Sequence, residues 1–262
     1  PIRIEKIRCI PTAPADIRLI VVKVETSEPG LHGLGCATFT QRPLAVIEAV
    51  EQYLDPFLRG RNIDEIEDIW QSSYVSSYWR SGPVLNNALS GVDMALWDLK
   101  GKRAGMPVFD LIGGRCRKAA PVYVHASGRD FDAVTTQARQ LMSEGFRHIR
   151  MQVEVPGQAT YGTESDLHAH QEVDSPLNPH NIFEPADYAR LAPMLFEHAR
   201  RELGDEIELL HDIHERLPIP LAVQLAKDLE PYRLFFLEDA LPPEELSYFR
   251  RLRQATHIPL AM

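Results

Sequence analysis

The chain has 262 residues, 44% of them hydrophobic, and a formal net charge of −9. That is enough apolar material for one large domain or two, and the acidic balance leaves no basic footprint for nucleic acid or an anionic membrane. Cys9, Cys36 and Cys116 are an odd number without metal or redox spacing, no apolar run approaches a membrane span and no signal peptide opens the sequence, so the expectation is a cytoplasmic protein with free thiols.

The first elements read as strands. Ile2 to Ile10 and Leu19 to Thr26 are rich in β-type residues, and Glu28-Pro29-Gly30 is a turn signal before a third run, Gly33 to Phe39. Three such runs predict an antiparallel sheet. Helices follow. Leu44, Ile47, Val50 and Leu54 fall on one helical face, as do Leu85, Ala88, Leu89, Val92, Leu96 and Leu99. Gly101, Gly105 and Pro107 break that second pattern, and Leu111-Ile112-Gly113-Gly114 closes the unit. Residues 1–118 are therefore expected to form a small α+β domain.

From Ala119 the rhythm alternates. Pro121 to His125 reads as strand, Asp132 to Glu144 as helix stopped by Gly145, His148 to Val153 as strand, and the stretch after Asp187 as an amphipathic helix. Further strands start near Ile207, Leu234 and Ile258, with helices between, and this alternation predicts a parallel sheet. Asp212 and Glu238 each end a short apolar run, and 238 − 212 = 26 residues is about one strand, one helix and two loops, the repeat of a β/α barrel. Carboxylates at the C-terminal ends of neighbouring parallel strands share one bowl, where a hard cation such as Mg²⁺ binds. A third run begins one repeat later and the sequence ends about where a third carboxylate is expected. Residues 119–262 thus read as the N-terminal part of an α/β barrel, a modified TIM barrel incomplete in this chain, and because residue 1 is Pro and not Met the N-terminus is also expected to have lost something. Residues 156–186 carry four Pro and three His without an apolar period and read as a lid-like loop on the catalytic side.

Asn87-Ala88-Leu89-Ser90-Gly91-Val92-Asp93-Met94-Ala95-Leu96-Trp97-Asp98-Leu99-Lys100-Gly101-Lys102 resembles the signature helix of the enolase superfamily in its mandelate racemase-like branch. Gly33-Leu34-Gly35, Tyr78-Trp79-Arg80-Ser81-Gly82-Pro83, Arg150-Met151-Gln152, Val155-Pro156-Gly157, Thr160-Tyr161-Gly162 and Leu210-His211-Asp212-Ile213-His214 narrow the resemblance to the mannonate dehydratase group with its starvation-sensing relatives. The resemblance covers essentially the whole chain. It implies an α+β capping domain on a modified barrel, Mg²⁺ held by three acidic strand-end residues of which Asp212 and Glu238 match two, and homo-oligomeric assembly. The implied substrates are sugar acids such as mannonate or gluconate, which lose water to give 2-keto-3-deoxy acids.

The resemblance also implies roles. A proton next to a carboxylate is very weakly acidic until the metal neutralises the enediolate formed on its removal, a case the superfamily exemplifies. Where many branches use a lysine at the end of the second barrel strand, this chain has Arg150, which stays protonated. The matching base is Tyr161, whose phenolate the adjacent guanidinium favours. His214, two residues after Asp212, would protonate the departing 3-hydroxyl. His125, read at the end of the first barrel strand, and Thr40, where many members have Asn, match substrate contacts.

The loop from Arg150 to Tyr161 is one residue shorter than the family pattern, and Asp239-Ala240 replaces a common Asp-Pro. Together with Thr40 these departures weaken the assignment to mannonate. Two rivals stay open: a racemase or epimerase, and a metabolite-binding homologue with little turnover. The bland readings are helix caps or ion pairs for Asp212 and Glu238, an ordinary loop aromatic for Tyr161, and solvated loop histidines for His168, His170 and His180.

Overall fold

In the computed structural model, which describes residues 1–14, 17–77, 80–155 and 183–262, the chain divides into two units, residues 1–118 and 119–262. The first is built on three antiparallel strands in chain order, β1 (Ile4–Thr12), β2 (Leu19–Thr26) and β3 (His32–Cys36). Burial along β2 alternates: Ile20, Val22, Val24 and Thr26 are buried and their neighbours are not, as a pleated strand with one face on a core requires. β3 is shorter than expected, ending at Cys36 rather than Phe39.

Five helices follow: α1 (Pro43–Glu48), α2 (Asp55–Leu58), α3 (Ile66–Ser76), α4 (Pro83–Ala104) and α5 (Val108–Leu111). Between α1 and α2 the backbone makes a π-helical turn, Ala49–Leu54. Of the face expected from Leu44, Ile47, Val50 and Leu54, Val50 is buried and Ile47 and Leu54 pack against the core. Val46, Ala49 and Val50 face the core, and Leu44 is 75% exposed. The same segment covers the free edge of β1: Glu51 Oε1 accepts the Cys9 amide at 2.8 Å and Asp55 Oδ1 the Ile7 amide at 2.7 Å. Two carboxylates thus stand in for a fourth strand and blunt an edge that would otherwise pair with another chain.

Helix α4 begins with Pro83 behind Gly82 and ends on left-handed Gly105, whose amide bonds back to Lys102 O, a proline start and glycine stop. Its Ala88, Val92, Ala95, Leu96 and Leu99 pack into the sheet core. The approach is so close that a Cβ on Gly33 would lie 1.9 Å from Ala95 O and one on Gly35 2.0 Å from Gly91 O. The Gly33-Leu34-Gly35 motif is therefore a packing device. Cys9, Cys36 and Cys116 are all free thiols.

The second unit is a five-stranded parallel sheet, β4 (Val124–Gly128), β5 (His148–Val153), β6 (Glu208–Asp212), β7 (Phe236–Glu238) and β8 (Leu260–Ala261), paired in chain order. Helices α6 (Phe131–Ser143), α7 (Pro185–Leu203), α8 (Ile219–Asp228) and α9 (Leu246–Ala255) come between strands, and Ile149, Met151, Leu209, Leu195, Phe196 and Leu225 share their core. Helix α7 starts inside the stretch expected to be loop, at Pro185, with Glu184 as its cap. The first strand is also shifted, running Val124–Gly128 and not Pro121 to His125, because Gly128 still pairs with Val153 and packs on Ala133 of α6.

The sheet is curved. The Tyr123 hydroxyl, just before β4, lies 3.0 Å from both carboxylate oxygens of Glu238 on β7. In a flat sheet three strand spacings would separate the two strands by about 14 Å, beyond the reach of a tyrosine. Only a sheet curling toward closure brings them together, which makes this unit part of a barrel.

Candidate active site

The candidate site occupies the C-terminal ends of β5, β6 and β7. Along β6, Leu209 and His211 look toward α7, where His211 meets Phe196 and Tyr188, and this alternation turns Asp212 the other way, onto Arg150 of β5. Parallel register then sets Asp212 directly beside Glu238. Asp212 and Arg150 are 4% and 3% exposed.

Asp212 is held on every side. Its Oδ2 lies 2.7 Å from Arg150 Nη1 and 2.6 Å from His214 Nε2, and its Oδ1 accepts the His214 amide at 2.8 Å. Burial drives its pKa up, but the His214 hydrogen bond and charge and the Arg150 guanidinium together hold it below the usual carboxylate range. Arg150 Nη1 also approaches His214 Nε2, at 3.3 Å. The shorter contact makes Nε2 a donor to Asp212. His214 shares the Asp212 side, as its place two residues on implies, but not by strand alternation: β6 ends at Asp212, and His214 returns to it through a left-handed turn with φ 55°.

Glu215 (φ 58°) and Asp239 (φ 43°) are left-handed too, a conformation that costs non-glycine residues about 1–2 kcal/mol each. Neighbouring strands hold them: Glu215 N donates to Asp239 O, Asp239 N to Ala261 O and Ile213 N to Glu238 O. Strained backbone within three residues after each carboxylate marks a functional site more than an ordinary strand end. Burial, with Asp212 and Asp239 nearby, raises the Glu238 pKa, against the pull of the Tyr123 hydrogen bond.

His125 is the second residue of β4 and not its last, a correction that follows from the strand's shift. It stacks on Tyr123, ring centroids 5.6 Å apart. It is exposed on one side, yet surrounding atoms and the Arg150 guanidinium push its pKa down to about 4, so it is neutral at physiological pH. Thr40 belongs to the first unit, where its hydroxyl donates to Gln41 Oε1 at 2.9 Å. Tyr161, with His168, His170 and His180, lies outside the described residues.

Several site residues escaped sequence reasoning. Tyr123 could have been reached from its i, i+2 relation to His125, but its partner on a distant strand could not. Behind Asp212, Tyr188 OH meets His211 Nε2 at 2.8 Å, and His211 Nδ1 bonds Met151 O at 3.1 Å. Burial pushes the His211 pKa to about 4, so the ring is neutral, donating from Nδ1 and accepting at Nε2. On β5, both amide atoms of Gln152 and Nε of Arg150 are buried with no hydrogen-bond partner among the described residues. Such groups point to something that completes them.

Adjacent carboxylate oxygens suit a hard cation, and Mg²⁺ takes one or two carboxylates with water or substrate oxygens. Among the described residues no three His, Cys, Asp or Glu converge as a full ligand set. Asp212 and Glu238 fit as two members of one.

Residues 7–113 match the mandelate racemase / muconate lactonizing enzyme N-terminal domain and residues 133–262 the enolase C-terminal domain-like family. The chain belongs to the enolase superfamily. Its antiparallel α+β unit is the superfamily's capping domain and its parallel unit the partial barrel. A D-galactonate dehydratase family member of Musicola paradisiaca is 49% identical over 272 residues, covering 100% of this chain and 65% of the relative. A D-mannonate dehydratase of a Caulobacter species is 46% identical, over 93% of this chain and 60% of the relative. The crystal structure of an enolase from Pantoea ananatis with bound D-gluconate and Mg superposes with a TM-score of 0.88 at 50% identity, over 100% of this chain and 65% of that one. The chain thus spans just under two thirds of the length of these enolase-superfamily relatives.

Proposed function

We propose that the whole protein is a Mg²⁺-dependent dehydratase, a hydro-lyase acting on sugar acids of the mannonate or gluconate type to give 2-keto-3-deoxy acids. The observation that carries this reading is the buried Arg150–Asp212–His214 cluster standing in register beside Glu238. The names of the relatives and the D-gluconate and Mg in the Pantoea structure support it.

In this reading Asp212 and Glu238 hold the cation. When bound, Mg²⁺ supplies positive charge that offsets the negative charge developing on the substrate carboxylate as its neighbouring proton leaves. Tyr161 takes that proton. The Arg150 guanidinium keeps a positive field where a phenolate is needed and fixes Asp212 through its Nη1. His214 is the proton source for the departing 3-hydroxyl. His125 contacts the substrate, and its neutral ring offers a hydrogen bond without drawing the substrate carboxylate away from the cation.

Division of labour between Tyr161 and His214 is testable. In His214→Asn, product formation should fall about 10²–10⁴-fold, while exchange of the α-proton with deuterium from solvent continues. Loss of exchange together with dehydration would place His214 elsewhere in the reaction.

A further inference from the structure

Glu238 and Asp212 are held in contrasting ways. Asp212 has donors from Arg150 and from the His214 ring and amide. Glu238 has one: the Tyr123 hydroxyl, 3.0 Å from Oε1 and 3.0 Å from Oε2, and no other donor reaches its carboxylate among the described residues. A phenol carries a single proton, so here it is shared between two oxygens, and either oxygen can be released without losing the bond to the other.

The ring that carries this hydroxyl is itself fixed. It stacks on His125 at 5.6 Å with an interplanar angle of 29°, and meets the edge of Phe236 at 5.9 Å and 82°. Phe236 is the first residue of β7 and Glu238 its last, so one strand supplies both the wall for the ring and the carboxylate it addresses. β7 has only three residues and continues into left-handed Asp239. A glutamate at such an end has three side-chain torsions to order, and Tyr123 is the group that orders them.

We propose that Tyr123 is the positioning residue of the cation site, orienting Glu238 from across the curved sheet so that one carboxylate oxygen stays hydrogen-bonded while the other is free to ligate. This rests on the reading of Glu238 as a cation ligand. Donors of this kind that orient metal-binding carboxylates are worth about 10–100-fold in metal affinity.

The test uses the full-length protein and Mn²⁺ as a spectroscopic probe, with free Mn²⁺ counted by electron paramagnetic resonance and Mg²⁺ affinity read by competition. Tyr123→Phe keeps the ring, its stack on His125 and its edge contact, so the melting temperature should be nearly unchanged while Mn²⁺ and Mg²⁺ binding weakens about 10–100-fold. Tyr123→Leu, which removes the ring as well, should weaken binding at least as much and also raise KM for the acid through His125. Glu238→Gln should lose most of the binding. If Tyr123→Phe binds Mn²⁺ as wild type does while Glu238→Gln fails to bind, Glu238 is a ligand and the positioning role of Tyr123 is wrong. If Glu238→Gln also binds normally, the reading of the cation site itself falls and takes this inference with it.

Discussion

Asp93 sits half-buried on α4 with no hydrogen bond or ion pair among the described residues, and it faces Glu67 of α3. Burial, and then the Glu67 charge, raise its pKa above the ordinary value. A carboxyl with a raised folded-state pKa keeps its proton where the unfolded chain has already lost one. Its contribution to stability is full below the unfolded pKa and declines as pH rises from there toward the folded value. Asp93→Asn should therefore raise the melting temperature at neutral pH, with the gain vanishing below the unfolded aspartate pKa of about 3.9. Equal gains at both pH values would show that Asp93 ionises normally. The same residue-level electrostatics explain what was hidden at the site. Asp212 and Glu238 could be read from their positions at the ends of apolar runs. Their opposite pKa directions could not, because these depend on which side chains return to them: His214 through a left-handed turn to Asp212, Tyr123 across the sheet to Glu238.

Among elements, the contact of α4 with β3 is the most demanding. A Cβ at position 35 would lie 2.0 Å from the carbonyl of Gly91, and backbone cannot swing aside as a side-chain tip can. Gly35→Ala should cost about 1–3 kcal/mol, seen as a lower denaturation midpoint with unchanged slope; a neutral outcome would mean that α4 is not held this tightly. Periodicity located α4, most of the helices and the parallel strands, since each buries one continuous face. It failed at element ends: Leu44, the second residue of α1, is exposed, and β4 begins three residues later than its apolar run suggested because pairing with β5, not composition, sets its ends.

For the whole molecule, the barrel was legible because spacing between strand-end carboxylates reports a repeat, and repeats survive local errors of boundary. The curvature was not, since it appears only as a long-range contact between Tyr123 and Glu238. Fold leaves the chemistry open, because one barrel serves many reactions. Which sugar acid the protein would take, and with what stereochemistry, no strand pattern specifies. The most direct test is an assay of the full-length protein with D-mannonate, D-gluconate and D-galactonate, following 2-keto-3-deoxy product with Mg²⁺ present and after chelation. The account predicts product from at least one acid, abolished by chelation and by Glu238→Gln. No product from any hexonic or pentonic acid, in a protein that still binds Mg²⁺, would contradict it.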